Sequence, residues 1–204
     1  MQEISDWFEY LDYRKNHDRD LKVIVIARNS QTGVGKTTFA IDLLQYMDQD
    51  FNQDKITFDM ENYVRLYNDL PKGSGILWEE AEKSADKRRS MSNENLDISH
   101  LWMFQRFREM YTVATLPSRS VLDKRLLELS DVLVIVMQRG LAKPYKCTIN
   151  DLSGKLELRR FKDKYGYYQR IRFNKIDNEV YKEAKRMKGE YSKKWTDEMM
   201  ERHG

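Results

Sequence analysis

The chain has 204 residues, enough for one domain with a sizeable buried core and too few for two ordinary domains and a linker. Its 36 Lys and Arg nearly balance 33 Asp and Glu, leaving a net charge of +3, so total charge indicates no partner and only its distribution is informative. A single cysteine, Cys147, excludes an internal disulfide and a cysteine-rich zinc site, and fits a reducing compartment. His17, His100 and His203 have no metal-ligand spacing. Met1 to Asp20 lacks a signal-peptide layout and no apolar run approaches a membrane span, so a soluble, cytoplasmic protein is expected. Abundant Lys, Arg and Glu with few Cys and Pro lean toward a heat-adapted source.

In chain order, Ile4, Trp7, Phe8 and Leu11 fall at helical spacing over residues 3–13 and predict a short helix that covers the core. Leu21 to Ala27 is an apolar, β-branched run, read as a buried strand. A polar glycine loop and a helix from Lys36 to Met47 follow it. A second strand is expected at Ile56 to Met60 and a helix from Glu61 to Leu70, stopped by Pro71 and Gly73. Gly75 to Glu80 reads as a third strand and Lys83 to Asn95 as a long polar loop. A helix with a broad apolar face runs from Leu96 to Met110, then a strand at Tyr111 to Thr115, a helix at Val121 to Leu129 and a strand at Val132 to Met137. Strands alternating with helices predict a parallel sheet covered on both faces, so the fold class is α/β. After Gly140 the pattern changes to short alternations around Asp151 to Gly154 and Lys164 to Gly166, expected as antiparallel hairpins, and Glu179 to Arg202 closes the chain as a charged helix. The whole, residues 1–204, is read as one domain: a nucleotide-binding core at 21–140, then basic hairpins and a C-terminal helix at 141–204.

The strongest chemical signal is Ser30-Gln31-Thr32-Gly33-Val34-Gly35-Lys36-Thr37-Thr38, between an apolar strand and a helix. A polyphosphate needs backbone N–H groups converging from a loop without bulky side chains, plus the positive end of a helix. Gly33 and Gly35 permit that loop, Lys36 reaches the β- and γ-phosphates, and the Thr37 hydroxyl serves as a magnesium ligand. Ser30 replaces the first glycine of the GxxxxGK[ST] pattern. The second signal is Gly75-Ile76-Leu77-Trp78-Glu79-Glu80, an apolar strand ending in two acids at the edge where parallel sheets bind ligands. Glu79 would hold magnesium through water and Glu80 would orient or deprotonate the attacking water, although Asp is more usual at the first position. The expected ligands are therefore ATP and Mg²⁺. The plain alternatives are a chance glycine turn and two solvated acids.

Asn174-Lys175-Ile176-Asp177 spells the NKxD pattern with which small GTPases read guanine. The preceding Gln169 to Phe173 is too polar for the buried strand that pattern requires, and no DxxG follows residues 76–78, so the match is read as coincidence. A nucleotide kinase would need an acceptor pocket and lid arginines that the sequence does not reveal. From Arg139 to Lys175, eleven Lys and Arg face three acids (Asp151, Glu157 and Asp163), interleaved with Tyr145, Phe161, Tyr165, Tyr167, Tyr168 and Phe173. That density suits a duplex backbone, unless it is a solvated face over ordinary hairpins.

The order of these motifs, with an arginine-bearing helix leading into Tyr111 to Arg119 and then Asp131 to Val136, resembles the FtsK–HerA superfamily of DNA-pumping ATPases. In compactness the chain looks most like the genome-packaging ATPases of tailless icosahedral viruses with internal membranes, especially the turreted viruses of hot-spring archaea. The motifs cover about residues 21–140. The resemblance implies ATP-driven translocation of double-stranded DNA, a homo-oligomeric ring, a capsid vertex as partner and a place in the host-cell cytoplasm. It also implies a glutamine that senses the γ-phosphate, where this chain has Leu116, so Thr115 or Ser118 is expected to substitute. It further implies an arginine acting across a ring interface, which would serve a site otherwise short of positive charge beyond Lys36. Arg106, Arg108 and Arg119 are the candidates, with Arg88 and Arg89 behind them. A non-viral DNA-transfer or plasmid ATPase and a slow nucleotide-dependent binding switch are the other readings.

Overall fold

The computed structural model describes residues 4–81, 93–104, 106–119 and 124–203. Eight strands form one sheet: β1 (Leu21–Ala27), β2 (Ile56–Thr57), β3 (Gly75–Trp78), β4 (Tyr111–Leu116), β5 (Val132–Gln138), β6 (Leu141–Ile149), β7 (Leu156–Arg160) and β8 (Ile171–Arg172). Their order is β2-β3-β4-β1-β5-β6-β7, with β8 against the start of β6. The first five of these positions are parallel, while β6 and β7 extend the sheet antiparallel. The helices are α1 (Trp7–Asn16), α2 (Lys36–Met47), α3 (Met60–Asp69), α4 (Asn93–Phe104), α5 (Lys124–Leu129) and α6 (Glu179–His203).

Two-sided burial follows from the period-two alternation of strand side chains. On β1, Leu21, Val23, Val25 and Ala27 join one cluster with Phe39, Leu44 and Trp7, under α1, α2 and α6. Ile24 and Ile26 point the other way, to Tyr63, Trp102 and Leu126 under α3, α4 and α5. On β3, Leu77 faces the first cluster while Ile76 and Trp78 face the second, where Trp78 stacks on Tyr63 at 4.8 Å and Trp102 Nε1 donates to Tyr63 Oη (2.7 Å). The same alternation turns Glu79 toward the α2 and α6 side.

Element ends depart from the sequence reading where capping decides them. Helix α1 starts at Trp7 because the Asp6 carboxylate accepts the N–H groups of Phe8 and Glu9 (2.9 and 3.1 Å), and Trp7 and Tyr10, not Phe8, are its buried aromatics. Strand β2 is only two residues long, since Asp59 accepts the Asn62 N–H (2.8 Å) and starts α3 inside the run read as strand. The arginines Arg88 and Arg89, and most of the expected 83–95 loop, lie outside the described residues.

At the amino-terminal edge of the sheet Asp131 accepts the Lys22 N–H (2.8 Å) and pairs with Arg14, while Lys22 pairs with Asp20. Burial raises the Asp131 pKa, against the pull of Arg14 and Lys22. This network ties α1 to the starts of β1 and β5.

Candidate active site

The carboxyl ends of β1, β3 and β4 open on one crevice because β4 is inserted between the other two, which makes this the topological switch of the sheet. The loop leaving β1 enters α2 through Gly35, whose φ of +97° is left-handed and whose Cα faces the Phe173 ring, 3.4 Å from where a Cβ would stand. Asn29 and Ser30 also have left-handed backbone, φ 53° and 56°. Ser30 thus adopts the left-handed conformation that glycine takes without strain. The Arg139 guanidinium, from the turn between β5 and β6, donates to the Gly33 carbonyl (3.0 Å), and the Phe173 N–H donates to Gly140 (3.1 Å). The C-terminal hairpins thereby buttress the phosphate loop, although the two segments are far apart in sequence.

A cavity of about 970 Å³ lies over this loop. Thr32, Gly33, Val34 and Gly35 line it from the loop, Lys36, Thr37 and Thr38 from the start of α2, and Glu80, Thr115, Leu116 and Pro117 from the ends of β3 and β4. Glu80 stands in left-handed backbone, φ 52°, a strained state for a non-glycine residue that costs about 1–3 kcal/mol. Thr115 holds it there: its hydroxyl accepts the Glu80 N–H and its carbonyl the Ala81 N–H, both at 3.1 Å. Thr115 therefore positions the acid-bearing turn, whereas Leu116 is apolar and buried. Ser118, Ser30 and Gln31 are not among the cavity's lining residues.

Glu79 is not among the cavity's lining residues; only 1% of its side chain is exposed, and its Oε1 has no hydrogen-bond partner among the described residues. An orphaned carboxylate oxygen on a residue that shares Lys188 with the cavity-lining Glu80 fits a hydrated magnesium ion, which favours oxygen ligands and keeps several waters. Among the described residues no group of three or more His, Cys, Asp and Glu gathers together, so a metal bound here would take most of its shell from ligand oxygens and water.

The sequence reading of a site short of cations beyond Lys36 is corrected here. Arg139, Lys175, Lys185 and Lys188 all line the cavity, the last two from α6. Lys188 Nζ lies 2.8 Å from Glu80 Oε1 and 3.4 Å from Glu79 Oε2. Burial works against this ammonium, but the two carboxylates outweigh it and hold its pKa above the ordinary lysine value. Asn174, Lys175 and Asp177, read from sequence as a coincidental motif, line the same cavity. They do so from an irregular segment after the two-residue β8, not from the buried parallel strand that a guanine-reading motif follows.

The arginine candidates are dispersed. Arg108 donates to the carbonyls of Tyr67 (3.2 Å), Asn68 (2.7 Å) and Leu70, and so caps the end of α3. Arg106 lines a separate cleft of about 440 Å³ with Arg14, Asp20 and Asp131, at the amino-terminal edge of the sheet. Arg119 is exposed beyond β4 and close enough to Cys147 to oppose the burial that pushes that thiol up to about 12.

The fold and this loop define the chain as α/β with the architecture of a P-loop NTPase. Similar solved structures include the genome packaging NTPase of Sulfolobus turreted icosahedral virus 2 in complex with sulfate (9% identity over 69% of this chain and 96% of that one, TM-score 0.46). The N-terminal domain of zonular occludens toxin from Neisseria meningitidis (16% identity, 74% of this chain and 100% of that one, TM-score 0.42) is another. EssC ATPases 2 and 3 from Geobacillus thermodenitrificans share 12% identity over 86% of this chain but 44% of that one, with a TM-score of 0.42. No family model and no curated protein matches the sequence. Among the described residues no helix is long and apolar enough to cross a membrane.

Proposed function

We propose that the chain is a magnesium-dependent ATPase that drives double-stranded DNA, most specifically a viral genome into a preformed capsid. The observation that carries the hydrolytic part is the meeting of Lys36, Thr37 and Glu80 around one cavity large enough for a nucleoside triphosphate. Lys36 and the loop amides bind the phosphates, while Thr37 and, through water, Glu79 would hold a magnesium ion, which would supply neutralisation of phosphate charge. Water forms the new bond to the γ-phosphorus as the β,γ-bridging bond breaks, and Glu80 takes the proton, leaving ADP and phosphate.

The DNA part is supported by charge placement. Lys143 is near Arg170, Arg160 and Arg28; burial first, then these three cations, lower its pKa. Tyr165, Tyr167 and Tyr168 are exposed, with Arg160 lying 4.1 Å over the Tyr168 ring and Lys164 over Tyr165. Cations crowded together this way suit a polyanion that they grip by its backbone. The ring, the capsid vertex and the host-cell cytoplasm belong to the same proposal and come from the sequence resemblance.

One second reading concerns the base. Asp177 is an acceptor-only carboxylate and would favour the adjacent donors of guanine over the mixed edge of adenine. Competition of ATP and GTP for a fluorescent triphosphate settles this. ATP is expected to compete at least as well as GTP, and Lys36→Ala to abolish binding of both. A strong GTP preference that disappears in Asp177→Ala would establish the guanine reading, and undiminished binding by Lys36→Ala would contradict the site.

A further inference from the structure

We propose that Lys188 is a catalytic residue of this site, an ammonium supplied by the chain's own C-terminal helix that contacts the γ-phosphate and stabilises the charge developing there during hydrolysis. The inference rests on the reading of the cavity as a triphosphate site and adds a residue to which neither sequence motif points.

Three observations place it. First, Lys188 Nζ lies within 2.8 Å of Glu80 and 3.4 Å of Glu79, the two acids that would serve the attacking water and the metal. Second, its side chain lines the same cavity as Lys36 and Thr37. An ammonium has three donors; two are directed at carboxylates here, which leaves one for a third oxygen in the cavity. Third, the helix is anchored. Val180, Tyr181, Ala184, Met187 and Tyr191 pack on the main core at helical spacing, and the Tyr191 ring lies 5.2 Å from Phe58. Lys188 falls on that stripe, one residue after Met187, and is therefore presented by a packed element.

The chemistry requires such a group. Phosphoryl transfer spreads charge over the γ-phosphate oxygens, and enzymes of this kind meet it with an added cation beside the loop lysine, in cis or in trans. Arg108 is committed to capping α3, and Arg106 stands at the opposite edge of the sheet. Lys188 needs no neighbouring subunit. In the nucleotide-free protein its charge holds Glu79 and Glu80 together; once phosphate and metal enter, the same ammonium has oxygens of the γ-phosphate within reach.

The test uses the full chain with Lys188→Met, Lys188→Arg and, as a control for the site itself, Lys36→Ala. Steady-state hydrolysis is measured together with binding of ADP and of the transition-state mimic ADP·aluminium fluoride. Lys188→Met is expected to lower kcat by about 100- to 1,000-fold, with KM for ATP changed less than about threefold. It should keep its affinity for ADP and lose the tighter binding of the mimic. Lys188→Arg, which keeps the charge, should recover at least about tenfold of the missing kcat. The proposal is overturned if Lys188→Met keeps wild-type kcat and mimic binding. It is equally overturned if that variant loses ADP affinity and thermal stability in step with kcat, because the ion pair is then only structural. A wild-type chain that binds no triphosphate, or a Lys36→Ala variant that binds it normally, would instead overturn the reading of the cavity.

Discussion

Glu79 and Glu80 adjoin in sequence yet occupy different surroundings. Glu79 is buried with one oxygen unpartnered, while the Glu80 side chain is 27% exposed on a turn fixed by Thr115. The first arrangement suits a group that holds a hydrated ion, the second one that meets a water molecule arriving from the cavity. Glu80→Gln is expected to bind ATP with wild-type affinity, since the amide keeps the shape, and to lower kcat by about 100-fold or more through loss of the base. Lys36→Ala should instead lose binding, and equilibrium binding beside single-turnover hydrolysis separates the two. An equal loss of affinity in both variants would remove Glu80 from the role of water activator. Ser30 shows what a motif pattern conceals: the backbone there needs a left-handed residue, and serine beside Asn29 adopts that geometry.

At the scale of elements, β1 and α2 run where the sequence places them, because an unbroken β-branched run and a glycine loop before a polar helix start leave little ambiguity. Strand β2 is legible only in part, since its apolar run continues into residues that Asp59 caps as helix. The loop lysine and the paired acids can be found because they are local in sequence. Lys188 cannot: its placement depends on how α6 crosses the sheet, 109 residues from Glu79, and a lysine on a charged helix carries no periodic signal. The motif at Asn174 to Asp177 can be read in the sequence but its place beside the loop cannot, since that is set by β8 pairing with β6 and by the Phe173 contact with Gly140. The basic hairpins make an element-scale prediction. In β6 and β7, Lys146 pairs in register with Arg159 and Tyr145 with Arg160, so cations lie along adjacent strands. Neutralising Arg159 with Arg160, or Arg170 with Arg172, should weaken duplex binding and lower the salt slope by about one for each phosphate that is no longer neutralised. Basal hydrolysis should persist. Binding titrations at several salt concentrations read this directly, and an unchanged slope in folded variants would make the segment a solvated face.

For the whole molecule, the position of the arginines constrains any ring. Arg106 lies at the amino-terminal edge of the sheet, opposite the nucleotide crevice. It could reach a neighbour's site only if that edge of one subunit met the crevice of the next, a head-to-tail contact of the kind that closes rings. Arg119, exposed beyond β4, does not line the crevice and interacts instead with Cys147, which bonds to Asp131 at the start of β5. Lys188 makes each subunit less dependent on its neighbour for charge, so isolated subunits should retain slow hydrolysis that assembly on DNA accelerates. Hydrolysis of Mg·ATP per subunit, followed across protein concentration with and without duplex DNA of arbitrary sequence, tests this most directly. The expected result is a low but measurable basal rate that requires magnesium, and a rise with concentration that duplex of any sequence steepens. A rate indistinguishable from the Glu80→Gln variant would contradict the hydrolytic site, and a normal rate indifferent to duplex and to concentration would contradict the DNA-driving assembly.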